Sequence, residues 1–293
     1  MSGSILSLPP DRLRDLDRAY ADAVAAKRRQ VLIGGVVLIV CIIVAGFVSE
    51  VRPLTFIENV SRFFSYLGRI FTLESGASVF TDPGEWFWGL NKWLVLLWQT
   101  IVIAYVGTLL GALAGFTLCF LAAANLVSNP WIRLTTKRFL EFCRTVPELV
   151  FALIFVASFG LGPLAGVLAI AIHTTGALGK MFSEVVENID MKPAEGVTAS
   201  GGSWIQMVRF AVVPQVLSNF ASYGLLRFEI NVRGAAVMGF VGAGGIGQDL
   251  MEAIRKFYYS DVSALLLMII LTVMIIDQLT ERLRHSLLGL EAR

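Results

Sequence analysis

Six long apolar segments run through this chain and constrain its fold more than any other feature. A helix needs about 20 mainly apolar residues to cross the hydrocarbon core of a bilayer, and each segment approaches or exceeds that length. Their approximate bounds are 31–49, 93–124, 134–159, 163–188, 209–240 and 261–282. Because 56% of the residues are hydrophobic and only 16% are charged, the chain is too apolar for an ordinary soluble domain. The sequence therefore predicts an all-α integral membrane protein with about six transmembrane helices.

Several of these segments are longer than the bilayer is thick, so they must tilt, bend or extend into water. Pro147 lies inside the third segment, and the sequence Gly160-Leu161-Gly162-Pro163 separates the third from the fourth. Proline removes a backbone donor, and glycine adopts backbone angles that other residues avoid. We therefore predict helix breaks at both places.

The region between the first and second segments has its own pattern. In residues 56–70 apolar side chains recur at helical spacing and alternate with charged ones, which predicts a helix lying in the membrane interface. Trp86, Trp88 and Trp93 then cluster just before the second segment. Tryptophans are enriched where helices enter the bilayer, so we interpret these three as interfacial.

The distribution of Lys and Arg predicts the orientation. With a cytoplasmic N-terminus, 16 of the 24 Lys and Arg residues fall in cytoplasmic segments and 6 in outer ones, as the positive-inside rule requires. Both termini of this inner-membrane or plasma-membrane protein would then be cytoplasmic. This orientation predicts an amphipathic N-terminal arm (1–30), a first transmembrane helix with an outer interfacial segment (31–92), a main transmembrane domain (93–285) containing a cytoplasmic loop (189–208), and a cytoplasmic tail (286–293).

The net charge and the cysteines give no sign of a nucleic-acid partner, a metal site or a disulfide. A net charge of +2 gives no indication of a nucleic-acid partner. Cys41, Cys119 and Cys143 lie in or beside apolar runs without the spacing of a metal site or of a disulfide framework. We expect three buried free thiols and no metal ion.

The 189–208 loop carries strong local signals. Pro193 suits the first turn of a helix, and Glu195 interacts favourably with the positive end of that helix. Gly201 and Gly202 would end it, and Ser203 with Gln206 three residues later matches a capping box for a second helix. The loop therefore predicts a short helix, a glycine turn and another helix.

This loop resembles the coupling motif of ABC importer permeases, which is a Glu, a Gly six residues later and a Pro thirteen residues after that. Glu195, Gly201 and Pro214 match in register. The departures keep a small or apolar character: Gly196 and Val197 replace two alanines, Ala211 replaces isoleucine and Val213 replaces leucine. The resemblance implies that a coupling helix in this loop docks into a groove on a cytoplasmic ATPase subunit, through Glu195, Gly196, Gly201, Gly202, Trp204 and Pro214.

Longer stretches are similar to one subfamily, the permeases of phosphonate and phosphite importers. The similarity extends over residues 90–285 and includes Arg144–Val150, Gly160–Gly166, His173–Gly176, Pro214–Gln215, Arg227–Arg233 and Gly239–Gly247. It implies the transmembrane domain of a type I, methionine-permease-like importer that carries phosphonate, phosphite or possibly phosphate inward by alternating access. It also implies a homodimer of permeases, two ATPase subunits that bind ATP and Mg²⁺, and an extracytoplasmic phosphonate-binding protein, with no cofactor and no catalysis in this chain.

Arg227, Glu229 and Arg233 lie well inside the fifth segment, where a charge is costly and marks a pathway or a paired network. On a helix Arg227 and Asn231 share one face, while Glu229 and Arg233 share a nearly opposite one. Arg227 has no acidic residue three or four positions away, which favours a role facing the transported anion. Glu229 and Arg233 either bridge each other or line the pathway.

Two further polar residues lie in the third and fourth segments. Glu148 follows Pro147, and pairing with Arg144 or another arginine is favoured over substrate contact because a carboxylate repels an anion. His173 either donates a hydrogen bond to a phosphonate oxygen or packs against a backbone carbonyl. We include both among the candidate pathway residues.

The segment Gly242–Gly247 contains Gly242, Gly244, Gly245 and Gly247 and matches a dinucleotide-binding pattern. No strand–helix–strand unit surrounds it, so we exclude nucleotide binding. The glycines either turn the chain back towards the pore mouth or let two subunits approach closely. The family resemblance implies that they form the external gate.

Three alternative functions remain open from the sequence. One is an importer permease for another small solute, and a second is an ion-coupled carrier that uses Glu229 and Asp277 as proton sites. The third is a membrane enzyme acting on a phosphate-bearing lipid, with Glu148, His173 and Arg227 as its site.

Overall fold

The computed structural model describes residues 10–50 and 53–291, which are almost entirely helical and carry one isolated bridge, between Thr72 and Ser78. Parts of the predicted N-terminal arm and C-terminal tail therefore lie outside the described residues. The chain divides into two units, the first ending at Tyr66 and the second beginning at Leu67.

The first unit contains α1 (Pro10–Val48) and most of α2 (Pro53–Ile70). Helix α1 is continuous, so the polar arm and the first apolar segment form one helix. The large apolar side chains of its second half are exposed. Cys41 is therefore exposed, contrary to the prediction of a buried thiol, whereas Cys119 and Cys143 are buried, and all three are free.

The second unit contains the end of α2 and ten further helices. They are α3 (Pro83–Trp86), α4 (Leu90–Ala122), α5 (Pro130–Thr145), α6 (Glu148–Phe159), α7 (Pro163–Glu187), α8 (Lys192–Ala199), α9 (Trp204–Met207), α10 (Val213–Met238), α11 (Ile246–Lys256) and α12 (Tyr259–Glu291). A π-helical turn (Val208–Val212) joins α9 to α10, and a 3₁₀ turn (Gly239–Val241) follows α10.

Four described helical stretches are long and apolar enough to cross a membrane: Arg18–Val48, Leu90–Ala122, Pro163–Glu187 and Tyr259–Ser286. A fifth span requires α5 and α6 together, and these two are bent by 83°. The predicted segment 134–159 is therefore two helices, which meet at the break predicted at Pro147. Helix α10 is about 39 Å long at 1.5 Å per residue, which is enough to span a membrane. It is too polar to qualify as a membrane span by its composition.

The predicted helix breaks are confirmed. Helix α5 ends at Thr145, and Pro147 is the cap residue before α6. Helix α6 ends at Phe159, after which Gly160 and Gly162 have φ angles of 89° and 144° that disfavour other residues. Local backbone chemistry thus explains both interruptions.

Helices α4 and α7 pack closely through a stripe of glycines on α4. A Cβ at Gly107 would lie 2.7 Å from the Ile170 side chain, and one at Gly111 would lie 2.6 Å from Thr174. At Gly115 it would lie 3.0 Å from the backbone nitrogen of Gly179. Small residues four apart let membrane helices approach in this way. This pair forms the frame against which α10 is packed.

Two of the three tryptophans around the start of α4 are buried against other helices, and their predicted interfacial position stays a prediction. Trp86 and Trp93 are buried in a cluster with residues of α11 and α12, and the Trp86 indole donates to Ser263 Oγ at 3.0 Å. Trp88 is exposed, and its indole donates to Asp261 at 2.9 Å. Two of the three rings therefore stabilise the packing of α11 and α12.

Candidate functional site

The 189–208 loop folds as predicted into two short helices and a glycine turn. Helix α8 begins at Lys192, with Pro193 and Glu195 in its first turn. The buried Ala194 attaches α8 to the hydrophobic core, while Glu195 and Gly196 face outward. The loop thus presents one helical face to solution on a fixed base.

Two glycines end α8 for different reasons. Gly201 has a φ of 84°, in the left-handed region that glycine adopts without steric cost, and a Cβ there would meet open space. Gly202 donates to the carbonyl of Val197 at 3.0 Å, and a Cβ there would lie 2.6 Å from the Val197 side chain. Gly201 is thus required by backbone conformation, and Gly202 by space.

The predicted capping box of the second helix is present. The Ser203 amide donates to Gln206 Oε1 at 2.7 Å, and the Gln206 amide donates to Ser203 Oγ at 3.4 Å. The Trp204 indole donates to the carbonyl of Leu126 at 3.1 Å, which ties the loop to the connection between α4 and α5. Pro214 lies in the first turn of α10, so the motif ends where that helix begins.

A second candidate site lies where α6, α7 and α10 meet. The Arg227 guanidinium contacts His173 Nδ1 at 2.5 Å, and Glu148 Oε2 lies 3.9 Å from the same ring nitrogen. Glu148 and Arg227 carry opposite charges and both approach the His173 ring, but Glu148 Oε2 makes no hydrogen bond to the guanidinium. An arginine from another helix thus lies near Glu148, as one of the predictions for it required, without a direct salt bridge. The two predictions made for His173 stay untested, since its ring contacts Arg227.

Sequence reasoning missed Gly234, which lies seven residues after Arg227 and on the same face of α10. A Cβ at this position would overlap the carboxylate oxygen Oε1 of Glu148. Its seven-residue spacing from Arg227 was the available signal, because two helical turns place both residues on one face. The glycine allows the carboxylate to reach α10.

Asn231 is fully buried on the same face of α10. Its amide donates to Thr108 Oγ1 at 2.7 Å and to Thr174 Oγ1 at 2.9 Å, which joins α10 to α4 and α7. The shared face of Arg227 and Asn231 is therefore confirmed, since both contact α7. The geometry gives Asn231 a packing role, and its predicted pathway role stays untested.

Replacing Asn231 with alanine is expected to lower the free energy of unfolding by about 1–2 kcal/mol, because interhelical hydrogen bonds in membranes contribute modestly. Thermal unfolding in detergent measures this loss. Asn219→Ala is the matched control, since Asn219 lies on the same helix and is only partly buried. Equal stabilities of the two variants would contradict the role given to the two hydrogen bonds.

On another face of α10, Arg233 is paired with Glu229, as one of the two predictions required. Asp277 on α12 lies 3.4 Å from the same guanidinium. The bridge therefore also connects α10 to α12. A pathway role for either residue of the pair stays a prediction.

The glycine segment forms a tight turn between α10 and α11. Gly242, Gly244 and Gly245 have φ angles of 82°, 84° and 78°. The Gly242 carbonyl accepts from the Gly162 amide at 2.9 Å, and a Cβ at Gly247 would overlap the Ala236 carbonyl oxygen. The segment thus turns the chain between α10 and α11, whereas its position at a pore mouth and the close approach of two subunits stay predictions. The gate role stays a prediction.

The described residues contain no group of three or more His, Cys, Asp or Glu side chains able to hold a metal ion. The apolar spans and the broken helix among the described residues define a polytopic membrane protein. The chain belongs to the family of binding-protein-dependent transport system inner membrane components, whose profile matches residues 107–287.

Several similar proteins are named as permeases for phosphite, phosphonate or phosphate. The chain is 38% identical over 198 residues to the phosphite transport system permease protein PtxC of Stutzerimonas stutzeri, covering 68% of this chain and 72% of the relative. It is 50% identical over 117 residues to the putative cryptic phosphonate transport system permease protein PhnE2 of Escherichia coli K12, covering 40% of this chain and 96% of the relative. The phosphate-import permease protein PhnE of Mycolicibacterium smegmatis is 38% identical, over 65% of this chain and 36% of that protein.

A solved structure confirms the fold. An inward-facing structure of the MetNI methionine ABC transporter matches with a TM-score of 0.59 and 20% identity, covering 70% of this chain and 98% of the matched chain. At this identity the match concerns the fold alone. The prediction of a methionine-permease-like transmembrane domain is thereby confirmed.

Proposed function

We propose that this chain is the permease subunit of an ATP-driven importer that carries a phosphonate or a related phosphorus oxyanion, such as phosphite or phosphate, into the cytoplasm. The exposed α8–turn–α9 loop, with Glu195, Gly201 and Pro214 in the register of a coupling motif, is the observation that carries the transport mechanism. The substrate class is supported by the relatives named for phosphite, phosphonate and phosphate transport.

The proposed assembly contains two permease copies, two cytoplasmic ATPase subunits that hold ATP and Mg²⁺, and an extracytoplasmic binding protein. The permease itself has no cofactor in this proposal and performs no covalent chemistry. The 189–208 loop and both termini are cytoplasmic, and the glycine turn Gly242–Gly247 is the external gate. ATP-driven closure of the ATPases moves α8, and the membrane helices then alternate between inward-facing and outward-facing states.

The test is ATP hydrolysis by the reconstituted permease, ATPase and binding protein in lipid discs. The ligands compared are methylphosphonate, aminoethylphosphonate, phosphite, phosphate, methionine and glycine betaine, with a ligand-free sample. We expect hydrolysis to rise above the ligand-free rate only with the phosphorus compounds. We expect a Glu195→Ala variant to lose that rise and Glu281→Ala, which removes an exposed carboxylate from α12, to keep it.

Other outcomes favour other functions. Stimulation by methionine or glycine betaine alone would leave an importer permease and remove the assigned substrate. Uptake that stops when the proton gradient collapses while ATP remains intact would instead favour an ion-coupled carrier.

A further inference from the structure

We propose that Arg227 is a binding site for the transported oxyanion inside the membrane domain and that Glu148 is its built-in counter-ion, which the substrate displaces. This inference rests on the proposed function and names the site at which the importer holds its substrate during passage. It involves residues from three helices. Glu148 begins α6, His173 lies in α7 and Arg227 lies in α10.

The cluster of Glu148, His173 and Arg227 is partly exposed. The side chains of Glu148 and His173 are 24% and 19% exposed, so the cluster is not sealed in the core. Buried polar groups that only join helices are normally hydrogen-bonded. Charged residues in membrane segments that face the bundle interior or a water-filled cavity mark substrate and ion pathways.

Glu148 and Arg227 are not joined by a direct hydrogen bond. Arginine has only donors, so Arg227 donates to His173 Nδ1, and that nitrogen is an acceptor. Glu148 Oε2 and Arg227 Nε are both buried, and neither has a hydrogen-bond partner among the described residues. The carboxylate therefore balances the charge of the guanidinium without using its free donor. By contrast, Arg233 donates directly to Glu229 on the other face of α10.

The Arg227 guanidinium is chemically complementary to a phosphorus oxyanion. A guanidinium presents paired donors that match two oxygens of a carboxylate, a phosphonate or a phosphite. A phosphorus oxyanion that entered here would supply an acceptor for the unused Arg227 donor. Glu148 would compete with it for the same positive charge. The carboxylate therefore weakens binding enough to permit release, which a transport site requires.

Glu148 lies at a break between two helices. It is the first residue of α6, directly after the break at which α5 and α6 are bent by 83°. Its carboxylate lies against α10 at Gly234, the position where a Cβ would overlap it. A shift of α6 relative to α10 during alternating access would move the carboxylate towards or away from Arg227. The strength of the anion site would then change with the conformational state.

The experiment measures equilibrium binding of radiolabelled phosphate, with unlabelled phosphite, methylphosphonate and sulfate as competitors, to the permease–ATPase complex in lipid discs without binding protein. Arg227→Gln is expected to weaken binding by about tenfold or more, because a charged hydrogen-bonding partner is lost. Glu148→Gln is expected to strengthen binding by about tenfold or more and to slow uptake, because the competing charge is removed. Sulfate is expected to compete less well than the phosphorus compounds.

The double variant E148Q/R227Q separates this site from a purely structural ion pair. Both charges are removed together, so neither remains uncompensated in the membrane domain, and we expect wild-type thermal stability without anion binding or uptake. Glu281→Gln is the matched control, because Glu281 lies at the same 3.9 Å from His285 but is 60% exposed. We expect this control to bind and transport like the wild type.

Restored uptake and binding in the double variant would overturn the inference, as would unchanged binding in either single variant. Absence of phosphate binding in both the wild type and E148Q would overturn it too. The proposed function fails separately, when the reconstituted wild type is not stimulated by any phosphorus oxyanion. A stimulated wild type whose Arg227→Gln variant keeps full uptake would contradict the anion site alone.

Discussion

Replacing Gly201 with valine is expected to reduce ligand-stimulated ATP hydrolysis and uptake by about tenfold or more. Gly201 has a φ of 84°, and a left-handed conformation costs other residues about 1–2 kcal/mol, with branched side chains the least tolerant. The turn between α8 and α9 would therefore open, and α8 would lose its orientation. The measurement is substrate-stimulated ATPase activity of the complex in lipid discs.

Gly76→Val is the matched control for this variant. Gly76 has a φ of 82° and open space around a Cβ, so the same substitution introduces the same backbone cost outside the coupling loop. We expect both variants to insert and assemble, because Gly201 has no neighbour within 4 Å of a Cβ. Equal coupling in the two variants would contradict the assignment of the α8–α9 turn to ATPase coupling.

Replacing Gly247 with alanine is expected to lower the free energy of unfolding by about 3 kcal/mol, at the upper end of the usual cost of overpacking. A Cβ at this position would overlap the carbonyl oxygen of Ala236, which belongs to the backbone of α10 and cannot rotate away. Helix α11 would have to move away from α10, and the turn Gly242–Gly247 would move with it. Thermal unfolding in detergent and the yield of inserted protein measure the effect.

Gly224→Ala on α10 provides the comparison. No atom lies within 4 Å of a Cβ at Gly224, so alanine there should keep or slightly raise stability through its higher helix propensity, by up to about 1 kcal/mol. A Gly247→Ala protein as stable as Gly224→Ala would show that the contact between α10 and α11 relaxes easily. The turn at the proposed gate would then accommodate an added methyl group by moving.

The proposed coupling loop and the proposed anion site require different kinds of structure. The loop needs a rigid local shape, which Gly201, Gly202 and the Ser203–Gln206 capping box provide through neighbouring residues. The anion site needs groups from three helices whose distances can change. This difference explains why one candidate site was recognisable in the sequence and the other was only partly so.

Features set by neighbouring residues were predictable from the sequence alone. The breaks at Pro147 and Gly160–Pro163, the capping box and the bridge between Glu229 and Arg233 all depend on contacts within a few residues. The two short helices and the glycine turn of the 189–208 loop, which carries Glu195, belong to the same group. Backbone conformation and helical spacing determine such features before any long-range packing forms.

The tertiary structure alone decided which distant groups meet. Glu148 and Arg227 are on helices separated by α7, α8 and α9 in the chain, and no periodicity relates them. The burial of Trp86 and the attachment of Asn231 to Thr108 likewise depend on how whole helices pack. Helical spacing determines which face of a helix a residue occupies, but the close packing of α4, α7 and α10 determines what that face touches.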